Sequence, residues 1–385
     1  MNVLRVISSL DPSSGGPVEA AKNIDRALVA RGVGVQVVCL DAEGTRQYAC
    51  DYPAPVHLIG PSRFSYRLNS RLISWLRRNH HRFDAVIIDG LWQYHGLAVW
   101  YVLRNTGVPY FVFPHGMLDP WFKRGNIIKH LKKWLYWPWA EYRVLRDAAA
   151  VVFTCDEERR LSRESFWLYR CREVVISLGT VAPPPPSEFL TQKFDSLFPG
   201  LSNKRVVLFL GRIHQKKGCD LLVEAFSKVA ACDASLHLIV AGPDQVGWRS
   251  DLQSKAAALG ISDRISWPGM LLGDDKWAAF HACDAFCLPS HQENFGIVVA
   301  EALGCGKVVL ISNKVNIWRE IKSDSAAIVC EDDLGGVVSA LKGWLSMSPT
   351  ELKALSAAAL KCFESRYRVE NVACELIGLI ESRAV

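Results

Sequence analysis

Two glutamates, Glu293 and Glu301, stand eight residues apart in the run ENFGIVVAE, with an Asn-Phe-Gly turn directly after the first. The preceding DAFCLPSHQ reads as a short apolar strand, Ala285 to Leu288, that stops at Pro289 and Ser290. The following ALGCGKVVLIS reads as a helix end, a glycine stop and another strand. This pattern predicts a helix starting near Gly296, with Glu301 about two turns in and Glu293 in the feeding loop. A carboxylate at a strand's end and another on the next helix can face one crevice. In open α/β sheets ligands bind in that crevice, beyond the carboxyl ends of the strands. The first backbone N–H groups of such a helix, on Phe295, Gly296 and Ile297, have no acceptor within it. They form a cradle for an anionic group.

Elements able to position such a pair recur along the chain. Val3 to Ser8 is a strand, DPSSGGP a loop, Val18 to Ala30 a helix and Val35 to Leu40 the next strand. The helix places Val18, Ala21, Ile24 and Leu28 on one face. Gly15-Gly16-Pro17 lacks the third glycine of a dinucleotide fingerprint. It is either a close-approach loop over a ligand or a plain turn. Strands follow at Val56 to Ile59, Ala85 to Ile88, Pro109 to Phe113, Ala149 to Cys155 and Val174 to Leu178. Between them lie helices at Ser70 to His80, Gly96 to Arg104 and Asp156 to Phe166. The strands are continuous apolar runs, as strands covered by helices on both faces must be. Four prolines, Pro183 to Pro186, then break the pattern, and a stiff extended connector marks a domain boundary. A second series starts at the strand Arg205 to Leu210, followed by GRIHQKKG. Helices and strands alternate as far as Ala327 to Val329. Three helices, Leu334 to Leu345, Glu351 to Glu364 and Val369 to Glu381, finish the chain. The predicted architecture is α/β: two doubly wound domains in tandem, facing a central cleft.

At 385 residues, two domains are the expected number. Half the residues are hydrophobic and 22% are charged, which is ordinary for a globular enzyme. A net charge of +6 favours anionic partners without requiring nucleic acid. Twelve cysteines are scattered with no Cys-x-x-Cys pair and no histidine cluster. They read as free thiols in a reducing cytosol rather than zinc ligands. The first residues, MNVLRVISSL, read as a strand and not a signal segment, and no apolar run is long enough to span a membrane. The expected location is cytoplasmic, with peripheral attachment at the inner face of the plasma membrane a further expectation.

Taken together, GRIHQKKG after a strand, ENFGIVVAE after a strand, the Gly-Gly-Pro loop after the first strand, and HGM after the fifth resemble the group 1 (family 4) retaining glycosyltransferases. Those are GT-B enzymes with two Rossmann-like domains, and the resemblance covers nearly the whole chain in order and spacing. It implies an acceptor-side domain at 1–180 and a nucleotide-sugar donor domain at 181–366, with a last helix at about 367–385 packing back on the first. Breaking a nucleotide-sugar's glycosidic bond leaves negative charge on the β-phosphate, which must be stabilised as it develops. The sequence holds no Asp-x-Asp triplet to carry Mg²⁺, so no metal and no cofactor are expected. The resemblance implies Arg212 and Lys217 on the donor phosphates, Arg as a fork and Lys as a movable charge. Lys216 is the weaker choice. It implies Glu293 on donor-sugar hydroxyls and Glu301 on the nucleotide ribose, and carboxylates suit diols because they only accept hydrogen bonds. A helix salt bridge is the alternative for Glu301. Asn294, Phe295, Gly296 and Ile297 complete the donor loop, with Gly15 and Gly16 as further donor contacts. His115, between Pro114 and Gly116, is implied as a donor-sugar contact in the catalytic set with Glu293; Asp119 is a weaker alternative base. The nucleotide base is expected near Pro268 to Met270.

Trp121 to Arg146 holds seven aromatics and seven Lys/Arg against one glutamate. Ile127, Ile128, Leu131 and Leu135 make one helix face; Lys129, Lys132 and Lys133 make another, and Pro138 kinks or ends the helix. Basic and aromatic residues together suit an anionic membrane surface, and an amphipathic core helix is the alternative. The expected activity is retaining transfer of a hexose from a UDP- or GDP-type sugar to a saccharide acceptor, lipid-linked, in surface polysaccharide or glycolipid assembly. The alternatives are a soluble sucrose- or glucan-type transferase and a non-catalytic sugar-nucleotide-binding subunit. A dehydrogenase is disfavoured by the missing Gly-x-Gly-x-x-Gly, and nucleic acid by the lack of a binding motif.

Overall fold

A computed structural model describes residues 1–11, 16–121 and 127–383, with the backbone alone for 127–130. The chain divides into two compact units, Met1–Val181 with Arg368–Val385, and Ala182–Tyr367.

The first unit carries a seven-stranded sheet of β1 (Asn2–Ile7), β2 (Gly34–Cys39), β3 (Val56–Leu58), β4 (Ala85–Asp89), β5 (Tyr110–Phe113), β6 (Ala150–Phe153) and β7 (Glu173–Val175). The spatial order is β3-β2-β1-β4-β5-β6-β7, and every pairing is parallel. Val86, Ile87, Ile88, Phe111 and Val112 are fully buried, because helices cover both sheet faces. The chain runs outward from β1 to β3, returns, and runs outward the other way from β4. The β1/β4 boundary is therefore a topological switch point, where open sheets leave a crevice beyond their carboxyl ends. The last helix, Val369–Glu381, belongs to this unit and packs on the first helix, Gly16–Ala30. The Val369 N–H donates to the Thr180 carbonyl at 3.0 Å.

The second unit repeats the design with β8 (Arg205–Leu210), β9 (Leu236–Ala241), β10 (Ile265–Gly269), β11 (Ala285–Leu288), β12 (Val308–Ser312) and β13 (Ile328–Cys330). Its order is β10-β9-β8-β11-β12-β13, again wholly parallel, with the switch point between β8 and β11. The doubly wound α/β reading holds for both units.

Several boundaries differ from the sequence expectation. The helix that begins at Asp156 ends at Ser162, not Phe166. The Ser162 hydroxyl bonds back to the Glu158 carbonyl at 2.8 Å and the Ser165 hydroxyl to the Ser162 carbonyl. These local bonds compete with the ladder. Phe166 is then free to stack on Trp137, with ring centroids 4.4 Å apart and planes 12° from parallel. Helices at Glu141–Asp147 and Glu188–Leu197 were not anticipated. The helix Ile127–Tyr136 stops before Pro138, whose ring disfavours helical backbone at the residue before it. All twelve cysteines are free thiols.

Candidate active site

In the second unit the site forms on the loops after β8 and β11, on either side of the switch point. The loop after β8 folds into a single 3-10 turn, Gln215–Lys217, capped by the His214 side chain, which accepts from the Lys216 N–H at 3.1 Å. Gly218 closes the turn with φ of +66°, and a β-carbon there would overlap the Pro289 carbonyl. Only glycine lets these two loops approach so closely. The His291 N–H donates to the Lys216 carbonyl at 2.8 Å, locking the β11 loop onto the β8 loop.

That contact brings the Lys217 ammonium against the Glu293 carboxylate. The two are 76 residues apart in sequence. Burial and the neighbouring Arg212 guanidinium push the Lys217 ammonium down to about 7, while the adjacent carboxylate opposes that shift. Arg212 itself is exposed. Glu293 is fixed through its backbone: its N–H donates to the Lys314 carbonyl at 3.0 Å and its carbonyl accepts from the Asn316 N–H at 2.9 Å. The Asn294 amide oxygen accepts from Asn316 at 3.3 Å.

The helix runs Ile297–Gly304, with Gly296 as its N-cap at φ of +74°. Glu301 thus falls in the second turn, closer to the helix start than expected. Its carboxylate is buried and accepts from Lys276 at 2.6 Å, and the Lys276 ammonium lies 4.3 Å from the centre of the Trp277 ring. The Phe295 ring is buried, edge-on to Tyr367 at 5.6 Å, so it packs the core and leaves only its backbone for a ligand. Ile297 opens the helix, half-buried. Pro268 and Gly269 end β10, and Met270 is exposed just beyond.

In the first unit, Gly16 opens the first helix and is exposed, while Gly15 lies outside the described residues. His115 follows β5 in a left-handed conformation, φ +50°, which an L-residue adopts only under constraint. The constraint is visible. Next to it the Gly116 N–H donates to the Glu158 carboxylate at 2.5 Å, and Glu158 also accepts from the backbone and hydroxyl of Thr154, both at 2.7 Å. The His115 Nε2 lies 2.8 Å from Asp89 Oδ1. Asp89 in turn takes Arg5 Nη1 at 2.5 Å, and the rest of that guanidinium forks onto Asp25 at 2.6 and 2.7 Å. The Tyr52 hydroxyl donates to Asp25 at 2.8 Å. Burial opposes the charge on Asp89, yet Arg5 and His115 hold its carboxyl down at about 2. Burial pushes Asp25 up against the pull of Arg5. Asp119 is buried and caps the Trp121 N–H at 2.8 Å.

The sequence reading missed Arg5, Asp25, Asp89, Glu158 and Lys276. Two carried a signal: Arg5 is the one charge inside NVLRVI, and Asp25 stands seven residues after Val18, on the helix's apolar face.

The basic-aromatic segment is only partly described. Residues 122–126 and the side chains of Ile127, Ile128 and Lys129 lie outside the described residues. Leu131 and Leu135 are 56% and 59% exposed, and Trp139 70%. Lys133 does not sit on a free basic face, since its ammonium lies 4.4 Å from the centre of the Trp92 ring. No described helix is long and apolar enough to cross a membrane.

Two family models match, each on one unit: "Glycosyl transferase 4-like domain" over residues 15–179 and "Glycosyl transferases group 1" over residues 192–359. The chain belongs to the group 1 glycosyltransferases. This transferase is 27% identical over 266 residues to the lipopolysaccharide core biosynthesis mannosyltransferase LpsB of Rhizobium meliloti, an alignment covering 62% of the chain and 74% of LpsB. It is 30% identical over 265 residues to a D-inositol 3-phosphate glycosyltransferase of Stackebrandtia nassauensis, covering 64% of the chain and 57% of that protein. Among solved structures, HepE of Anabaena in complex with UDP superposes with a TM-score of 0.78 at 16% identity, over 99% of the chain and all of HepE. Sucrose-phosphate synthase of Thermosynechococcus elongatus gives 0.75 at 17%, over 99% of both chains. At these identities the structures establish the GT-B fold.

Proposed function

We propose that this glycosyltransferase moves a hexose, with retention and without a metal, from a nucleoside-diphosphate sugar to a saccharide acceptor carried on a lipid. The observation that carries the donor reading is the Lys217–Glu293 contact beside exposed Arg212, at the carboxyl ends of β8 and β11. A pyrophosphate takes the two cations and a sugar diol takes the freed carboxylate, so one ligand satisfies all three groups. In transfer, the bond from the anomeric carbon to the β-phosphate oxygen breaks and a bond to the acceptor oxygen forms on the same face. The acceptor's proton goes to the departing phosphate, and Arg212 and Lys217 offset its growing charge. HepE, solved with UDP, and the mannosyltransferase LpsB support a nucleotide-sugar donor and a hexose. The exposed Leu131, Leu135 and Trp139 support a lipid-facing acceptor region, because an amphipathic core helix would bury the leucines.

The test is one donor–acceptor series. UDP, GDP, ADP and NAD are compared by thermal shift with and without EDTA, and the matching UDP- or GDP-sugars are then assayed on lipid-diphosphate and free saccharides. Stabilisation by one nucleoside diphosphate, unchanged by EDTA, and transfer preferring the lipid-linked acceptor are expected. Stabilisation by NAD alone overturns the donor reading, and equal use of free saccharide overturns the lipid.

A further inference from the structure

The hairpin after β3 holds its largest apolar side chain out in solvent. We infer that Phe64, at the tip of this hairpin, inserts into an anionic lipid surface, as a second footing beside the helix Ile127–Tyr136. This goes beyond the proposed function, because it assigns a contact with the bilayer itself, and it rests on no donor or acceptor chemistry.

Arg63 and Leu68 form an antiparallel bridge, each N–H donating to the other's carbonyl at 2.9 Å. Residues 64–67 turn the chain between them, closed by the Arg67 N–H on the Phe64 carbonyl at 3.1 Å. Phe64 and Arg67 both have left-handed backbone, with φ of +60° and +58°. An aromatic residue there is an outlier, and the conformation is costly. Packing would ordinarily offset such strain, yet Phe64 is 81% exposed. Strain kept without contacts in return points to a surface that the ring meets outside the fold.

The base beneath the tip is rigid. The Asn69 amide donates to the Ile59 and Pro61 carbonyls at 3.1 and 3.3 Å. Its oxygen caps the helix Ser70–Asn79 by accepting from the Arg71 and Leu72 N–H groups. Arg67 reaches Asp41 at 3.4 Å. The Tyr66 carbonyl accepts from the Tyr94 N–H at 2.9 Å, and the Tyr66 hydroxyl bonds to that of Tyr136. This last bond sets the hairpin against the end of the helix whose Leu131 and Leu135 stand exposed. Two segments 70 residues apart thus present apolar side chains around one contact.

Charge and shape name the occupant. Residues 61–71 hold three arginines and no acidic residue, and Arg63 and Arg71 are exposed. Cations flanking an apolar tip suit an anionic headgroup layer over hydrocarbon. One ring on a narrow turn cannot supply the roughly 1,200 Å² or more of a stable protein interface, whereas a bilayer takes a lone side chain of any shape.

Co-sedimentation of the full chain with vesicles tests this, using phosphatidylcholine alone and an equal mixture with phosphatidylglycerol. The parent should partition onto the mixture about tenfold better or more, an advantage that high salt removes. Phe64→Gly should weaken that partitioning about tenfold. Its urea midpoint should stay level or rise, because glycine adopts the left-handed turn without strain. Arg63→Gln should weaken partitioning about fivefold. No binding by the parent, or Phe64→Gly binding as the parent does, overturns the inference. Equal binding to both vesicles overturns the anionic surface. A lower midpoint in Phe64→Gly also overturns the inference, since the ring would then be packed within the fold. A parent dimer that Phe64→Gly converts to a monomer overturns it in favour of a second copy of the chain. Equal transfer to free and lipid-linked saccharide refutes the proposed acceptor alone and leaves vesicle binding as it stands.

Discussion

The two units use the same sheet and put opposite kinds of charge at its carboxyl end. In the first unit Arg5, Asp25, Asp89 and His115 are almost wholly buried and bonded to one another. Their charges meet inside the protein and hold one ring. In the second, Lys217, Glu293 and Arg212 are partly open to solvent, and the Lys217–Glu293 pair is the one the proposed donor would replace. Buried ion networks fix geometry. Half-open ones bind, because their solvent has largely been removed but their partners can still be exchanged.

The contrast is most easily broken by removing the central cation of each cluster. Arg5→Met leaves Asp25 and Asp89 buried without their partner and should cost about 3–5 kcal/mol of stability, read as a lowered urea midpoint. If the midpoint is unchanged, the first cluster is not structural. A second test stays within the first unit. Glu141 is buried, with one carboxylate oxygen accepting from the Trp92 N–H at 2.6 Å and the other without a hydrogen-bond partner among the described residues. Burial raises its carboxyl to about 7. The folded protein therefore holds a proton that the unfolded chain has released, and stability falls as pH rises between about 4.5 and 7, by about 3 kcal/mol. Glu141→Gln should recover that loss at pH 8 and match the parent at pH 4; identical melting curves at pH 8 would reject it. The smallest effect is expected in the second unit. Burial disfavours the Lys217 charge, the Glu293 carboxylate in contact with it favours it, and the two largely offset. Lys217→Met should hold or raise the midpoint, within about 1 kcal/mol, while donor binding is lost. A large destabilisation there would put both clusters in one class.

What could be read from the chain follows from range. The sheets were legible because strands covered on both faces are apolar throughout, as in VVLFL and AVII. The placement of Glu293 in a loop and Glu301 on the helix after it was legible because both lie within one short stretch. Other pairings across elements were not: Lys276 stands 25 residues before Glu301, and Arg5 stands 84 before Asp89. Only the strand order brings β1 beside β4. The helix Glu188–Leu197 was hidden differently. Leu190 and Phe194 show helical spacing and Ser187 caps it, accepting from the Leu190 N–H at 3.3 Å. Four prolines just upstream drew the reading toward a linker, and the helix instead packs on Gly273–Ala282, with Lys193 3.0 Å from Asp275.

The final helix gives the two units different histories during synthesis. Ala182–Tyr367 is continuous and holds all of its strands once made. The first unit is not finished at Val181, because the apolar side of Gly16–Ala30 that meets Val369–Glu381 waits for residues made about 200 positions later. At about 5–20 residues per second, that wait lasts on the order of 10–40 s. The unit begun first is therefore completed last. Throughout the interval a stripe of its surface is open on the ribosome, making it the natural place for a chaperone to hold the nascent chain.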